Sequence, residues 1–142
     1  MNRPLDLSTS VVAVTLGADI DWKPATSIPR GATYCLFGGP MSEEKEFVAW
    51  VRYPKDYMIP PHRHAKAEHF TVLSGMYNFG IGTAFDITKT KAMPPGSLVI
   101  LPPNTWHFHW TDCETIVQIH GTGPFSSDYH NPENDPRIQQ AS

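Results

Sequence analysis

The stretch Ile59–Gly75, IPPHRHAKAEHFTVLSG, sets three histidines and a glutamate within eight residues and then runs into an alternating apolar segment. His62 and His64 stand two apart, so on extended backbone both leave the same face. Glu68 shares their parity and joins that face if the chain stays extended through Ala65, Lys66 and Ala67. A bulge or turn there would break the argument, so parity alone leaves Glu68 open. His69 has the opposite parity and is expected to face the other side. Neutral imidazoles with a carboxylate suit a borderline divalent ion such as Fe, Mn, Ni, Co or Zn. No cysteine lies nearby, which argues against a closed structural zinc site. A further histidine is expected from another strand. LPPNTWHFHW (101–110) offers His107 and His109, of equal parity but different depth.

Working outward, strand signals recur at Ser10–Thr15, Ala32–Gly38, Glu46–Tyr53, His69–Leu73, Met76–Ile81, Leu98–Leu101, Trp106–Trp110 and Thr115–His120. Gly, Pro, Asn and Asp separate them at short intervals, the pattern of an all-β sandwich or barrel. Ser74–Gly75 reads as a tight hairpin turn with a positive-φ glycine. Pro94–Gly96 reads as a second turn. Helical periodicity is nearly absent, and the only helix-tolerant stretch, 40–45, is too short to matter. The segment 128–142 is polar and broken by prolines, and is expected to hug the surface or fray.

The chain of 142 residues fits one domain, 1–142, with 14 prolines and a net charge of −3. That balance, with no basic stripe, excludes nucleic acid and an anionic membrane as the main partner. No apolar run approaches the ~20 residues of a membrane span. The start lacks a basic region followed by a long apolar run, so no signal peptide is expected and a cytoplasmic location is. Cys35 and Cys113 are far apart and are expected to be free thiols. Cys35 is expected to be an inert buried one.

The residues from His62 read H-x-H, three residues, Glu, six residues, Gly, and downstream come Gly96, five residues, Pro102, then His107. Together these resemble the two motifs of the cupin family, closely over about 56–111. The resemblance implies a double-stranded β-helix, the cupin jelly-roll barrel, with one divalent metal (Fe, Mn, Ni or Zn) near an open end. Carried over position by position, it makes His62, His64, Glu68 and His107 the metal ligands. The metal-binding core is expected at about 46–121, with N-terminal strands in 10–38 packing on the barrel or on a partner. Three positions depart from the pattern. Asp56 stands where the first motif opens with glycine, Asn104 replaces the glycine of Pro-x-Gly, and Thr111 replaces a closing Asn. Asn tolerates positive φ better than other non-glycine residues, so that turn can survive. EHFTVLSGMYNFGIG (68–82) and HGTGPF (120–125) also resemble a small single-domain bacterial cupin subgroup, which implies a homodimer.

Four protein ligands leave two positions on a six-coordinate ion, enough for Lewis-acid or redox chemistry. The leading reading is a metal-dependent enzyme acting on an oxygen-rich small molecule, dioxygenase-type with iron, isomerase- or lyase-type with other ions. The alternative is a non-catalytic binding or sensor module. Gln118, His120 and His109 are the candidate proton movers around the metal. Gln118 and His120 alternate with Val117 and Ile119 on the last strand, and frame the pocket only if that polar face points inward. Trp106, Phe108 and Trp110 read as sheet packing. Tyr53, Tyr57 and Tyr77 can each offer a hydroxyl, and nothing in the sequence singles one out.

Overall fold

The computed structural model describes residues 17–139, so the expected strand Ser10–Thr15 lies outside the described residues. In chain order the strands are β1 (Lys23–Pro24), β2 (Thr33–Gly38), β3 (Glu46–Tyr53), β4 (Tyr57–Arg63), β5 (Glu68–Ser74), β6 (Tyr77–Ile81), β7 (Lys91–Met93), β8 (Leu98–Leu101), β9 (His107–Thr111), β10 (Thr115–Thr122) and β11 (Asp128–Tyr129), followed by the one-turn helix α1 (Pro136–Gln139). They form two antiparallel sheets, ordered β1-β2-β3-β10-β5-β8 and β11-β4-β9-β6-β7, closed face to face as the expected jelly-roll barrel. Among the described residues no helix is long and apolar enough to cross a membrane.

Alternation decides which face of each strand enters the core. In β3, Phe47, Ala49, Val51 and Tyr53 are buried; in β10, Val117 and Ile119 are. Gln118 and His120 therefore point away from the barrel, which corrects the idea that they frame the pocket. Burying two apolar β-branched side chains outweighs anything a glutamine and a histidine gain inside. Gln118 instead accepts a hydrogen bond from Trp50 Nε1 at 2.9 Å. His120 sits opposite His69 on β5, their rings 5.8 Å apart.

The strand that carries His62 is not legible in the sequence because Pro60 and Pro61 interrupt it. Prolines cannot donate to a ladder and are confined to edges and bulges. Here they fall where the β4–β9 register shifts, between Ile59 and His62. The freed carbonyls are used: Pro60 accepts from His62 Nδ1 at 2.8 Å, and Pro61 from the His130 N–H at 3.0 Å.

The turn at Ser74–Gly75 is not a hairpin. β5 belongs to the six-stranded sheet and β6 to the five-stranded one, so the turn is a corner between sheets. Gly75 has φ +82, as expected for the turn residue.

Asp56 (φ 59) and Asn104 (φ 61) are the non-glycine positive-φ positions among the described residues. Both stand where the sequence pattern calls for glycine. Asn104 N–H also donates to the His64 carbonyl at 2.8 Å, tying the turn before β9 to the end of β4. Asn104→Ala is expected to lower stability by about 1 kcal/mol and Asn104→Gly to be neutral or stabilising, since only the alanine meets the full left-handed penalty. Urea unfolding midpoints measure both.

The tail is not frayed over its described part. Tyr129 is buried, pairs with His62 across β11–β4, and donates from its hydroxyl to the Ser27 carbonyl at 2.7 Å. Arg137 bonds the Ser127 carbonyl and Asp135. One aromatic ring in a polar segment is enough to anchor it. Cys35 is half-buried rather than sealed in the core, Cys113 is exposed, and both thiols are free.

Candidate metal centre

Three buried histidines converge between the sheets. His62 lies on β4, His64 just beyond its end, and His107 on β9, directly opposite His62 in register. One ligand atom from each lies within 4.8 Å of the others. Each ring is aimed by a backbone carbonyl at Nδ1: Pro60 for His62 (2.8 Å), Ser126 for His64 (2.8 Å) and Thr105 for His107 (3.0 Å). A carbonyl only accepts, so each Nδ1 carries the proton and each Nε2 keeps its lone pair. Three oriented lone pairs meeting in a buried space are a donor set for one metal ion.

Glu68 reaches the same space from the other sheet, as the first residue of β5. Residues 64–67 leave the ladder and cross between sheets, so Glu68 faces inward through that crossing and not because the extension continues. Its carboxylate lies 3.6 Å from His64 Nε2, outside the mutual set of the three histidines, and its buried Oε2 has no hydrogen-bond partner. An orphaned carboxylate oxygen beside three oriented imidazoles is costly in a purely protein site and suits a cation.

Burial pushes the Glu68 carboxyl up to about 8. Burial lowers His64 to about 4, against its bond to the Ser126 carbonyl, and lowers His107 to about 3, helped by His64. His62 and His109 are likewise held well below the usual imidazole range, by burial first and by neighbouring histidines second. The signs can be followed through. Below about pH 6.5 the unfolded chain takes up histidine protons that the native state refuses, so stability is lost as pH falls toward 4. Above about pH 4.5 the native state keeps a Glu68 proton that the unfolded chain releases, so stability is lost as pH rises toward 8. At pH 6.5 the four histidines of the unfolded chain still take up about two protons against the one kept on native Glu68, and the two effects balance near pH 7. Chelator-treated protein is thus expected to be most stable near pH 7 and to lose stability steeply as pH falls toward 4. Urea titrations across that range check it, and Glu68→Gln should flatten the alkaline decline.

A cavity of about 190 Å³ adjoins the three histidines. Its wall is largely apolar and aromatic, with Ile28, Met41, Phe70 and Phe125 among the lining and, among the described residues, no lysine, arginine, aspartate or glutamate. His109 lies in it, with its ring against Tyr53 (4.9 Å) and Tyr77 (4.6 Å). Of the sequence-derived candidates, then, the fold gathers His62, His64, His107, Glu68 and His109, and sends Gln118, His120 and His69 to the outside. Tyr53 and Tyr77 belong to the cavity, as their inward parity on β3 and β6 allows. Tyr57 does not, since its hydroxyl is bound to the Pro29 carbonyl. Ser126 escaped notice because it acts through its carbonyl, which any residue type has.

The sequence matches the family described as ChrR cupin-like domain over residues 10–126. A search of curated proteins found no match. Among solved structures, the polyketide cyclase RemF of Streptomyces resistomycificus is similar over 93% of this chain and 94% of its own, with TM-score 0.74 and 14% identity. A putative acetylacetone dioxygenase of Methylibium petroleiphilum is similar over 92% and 90%, with TM-score 0.64 and 15% identity. The DMSP lyase DddQ of Ruegeria pomeroyi is similar over 82% of this chain and 64% of its own, with TM-score 0.63 and 20% identity. At these identities the likeness is one of fold.

Proposed function

The chain belongs to the ChrR cupin-like domain family, and from that footing we propose that it is a small metal-dependent enzyme. In this reading His62, His64, His107 and Glu68 hold one divalent transition metal, Fe, Mn, Ni or Zn, and a small molecule binds it through oxygen in the adjoining cavity. The observation that carries the proposal is the convergence of three buried imidazoles, each fixed at Nδ1 by a carbonyl, onto a cavity with room for a ligand.

Such an ion supplies Lewis-acid polarisation of a bound oxygen, or a redox centre if it is iron. The chain's own part is to orient the ligands, exclude bulk water and supply a neutral imidazole, His109, in the cavity wall for proton movement. Gln118 and His120 face outward and have no part in it. The reactions named for the structural relatives, a cyclase, a dioxygenase and a lyase, all fall within this range.

The test loads chelator-treated protein with each of the four ions in turn. Small β-dicarbonyl and hydroxyaryl compounds are then followed by mass spectrometry and oxygen uptake. Turnover with one ion, abolished in His107→Ala, is the expected result. Ligand binding without turnover under any ion would leave the protein a binding module.

The proposal extends to assembly as a homodimer in a reducing, cytoplasmic setting. The outer face of the six-stranded sheet supports it, with Leu98 and Ile100 57% and 65% exposed near the exposed Leu73. Light scattering that returned a monomer mass would overturn the dimer.

A further inference from the structure

The cavity beside the metal centre contains more hydrogen-bond donors than the protein uses. The hydroxyls of Tyr53 and Tyr77 make no hydrogen bond among the described residues, and neither belongs to the sealed, unpartnered atoms of the interior. Both rings line the cavity, so these hydroxyls open into it. His109 is 2% exposed, and among the described residues its ring makes no hydrogen bond through either nitrogen. Its Nδ1 is sealed and unpartnered, whereas Nε2 is not sealed and is the nitrogen open to the cavity. A sealed N–H costs more than a sealed lone pair, because orphaned buried donors are the rarer case. The proton therefore sits on Nε2. Two phenols and an imidazole N–H thus face the cavity with nothing among the described residues to receive them.

The rest of the wall is mainly apolar. Among the described residues no lysine, arginine, aspartate or glutamate lines it; Ile28, Met41, Phe70 and Phe125 present carbon, and Thr26, Ser27, Tyr34 and Ser127 are its further neutral polar residues. A polyhydroxylated or phosphorylated body would leave its polar groups unpaired against that wall, at about 1–3 kcal/mol for each one. A cavity of about 190 Å³ admits a small molecule.

We infer that the ligand is a compact molecule of that size with an apolar, flat body and a single acceptor head, a carbonyl, carboxylate or enolate oxygen group. Tyr53, Tyr77 and His109 donate to the head while the metal centre holds it. This rests on the reading of His62, His64 and His107 as a metal centre, and it narrows an oxygen-rich substrate to one whose oxygens lie at one end.

The test uses two chelators with the same head and different bodies, benzohydroxamate and glycerohydroxamate. Each is titrated calorimetrically into zinc-loaded protein, with zinc content measured on the same samples afterwards. Benzohydroxamate is expected to bind at least tenfold more tightly. Tyr53→Phe and Tyr77→Phe should each weaken it about tenfold, the worth of one hydrogen bond to a charged head, with zinc content unchanged. Because the hydroxyls have no partner among the described residues, the double variant should unfold at the same temperature as the parent or higher. A lower melting temperature would mark them as structural and overturn their role. Zinc-loaded protein that shows no preference between bodies, or tyrosine variants that bind as the parent does, would overturn the inference alone. Protein that holds no zinc would overturn the reading of the centre, and the inference with it.

Discussion

Protein purified without chelator or added metal is expected to carry about one transition-metal ion per chain, and His62→Ala or His107→Ala to carry almost none. The geometry sets the size of the effect. The three rings are already aimed before any ion arrives, because each Nδ1 is fixed by a carbonyl of the surrounding chain: Pro60, Ser126 and Thr105. Affinity in such a centre comes from preorganised donors, and mutating even the outer partners of metal-ligating histidines typically costs 10–100-fold. Removing a ligand outright should cost at least the upper end of that range. His69→Ala is the control. It sits one residue from Glu68 yet faces outward beside His120, so its variant should keep the metal. Elemental analysis of the parent and these three variants decides it, and equal metal content in all of them would refute the centre. Glu68→Gln should fall between, since it keeps the shape and one oxygen acceptor but loses the charge.

Gly75→Ala is expected to cost about 3–5 kcal/mol, a large share of the roughly 5–15 kcal/mol that holds a domain folded. Two costs combine. The residue holds φ +82, where a Cβ costs about 1–2 kcal/mol. That Cβ would also press into the Glu114 carbonyl oxygen and the Thr115 side chain, and lie 2.7 Å from Thr115 Cα. Thr115 cannot give way. It is fully buried, and its hydroxyl bonds the Met76 N–H and the carbonyls of Met76 and Cys113. Two control glycines separate the terms. Gly82 has φ +133 with open space around it and should cost only the backbone penalty, while Gly38 has neither constraint and should be nearly neutral. Urea unfolding of the three alanine variants gives the comparison. If Gly75→Ala cost no more than Gly82→Ala, the close packing of the corner would be refuted.

Much of the centre is legible because local rules suffice for it. A two-residue spacing in extended chain fixes the common face of His62 and His64, and His69 falls on the other face by the same rule. Asp56 and Asn104 occupy glycine positions of the pattern and do adopt positive φ. Glu68 faces the site as the pattern implies, but by arriving from the opposite sheet, a fact no parity argument contains. β4 is hidden because its prolines read as punctuation until the bulge that houses them is seen. Gln118 and His120 went astray because alternation gives two faces without saying which is inner, and the neighbours Val117 and Ile119 decide that only once a core exists to receive them.

By itself, then, the sequence determined an all-β chain and the common face of His62 and His64, because strand alternation, turn glycines and two-residue spacing are properties of a few adjacent residues, while the choice of His107 over His109 came from the family resemblance. Only the tertiary structure decided which face of β10 is buried, that Ser74–Gly75 turns a corner between sheets, and that Tyr53, Tyr77 and His109 share one cavity. Those outcomes depend on which strands become neighbours, and that is settled by burying apolar area across the whole chain at once.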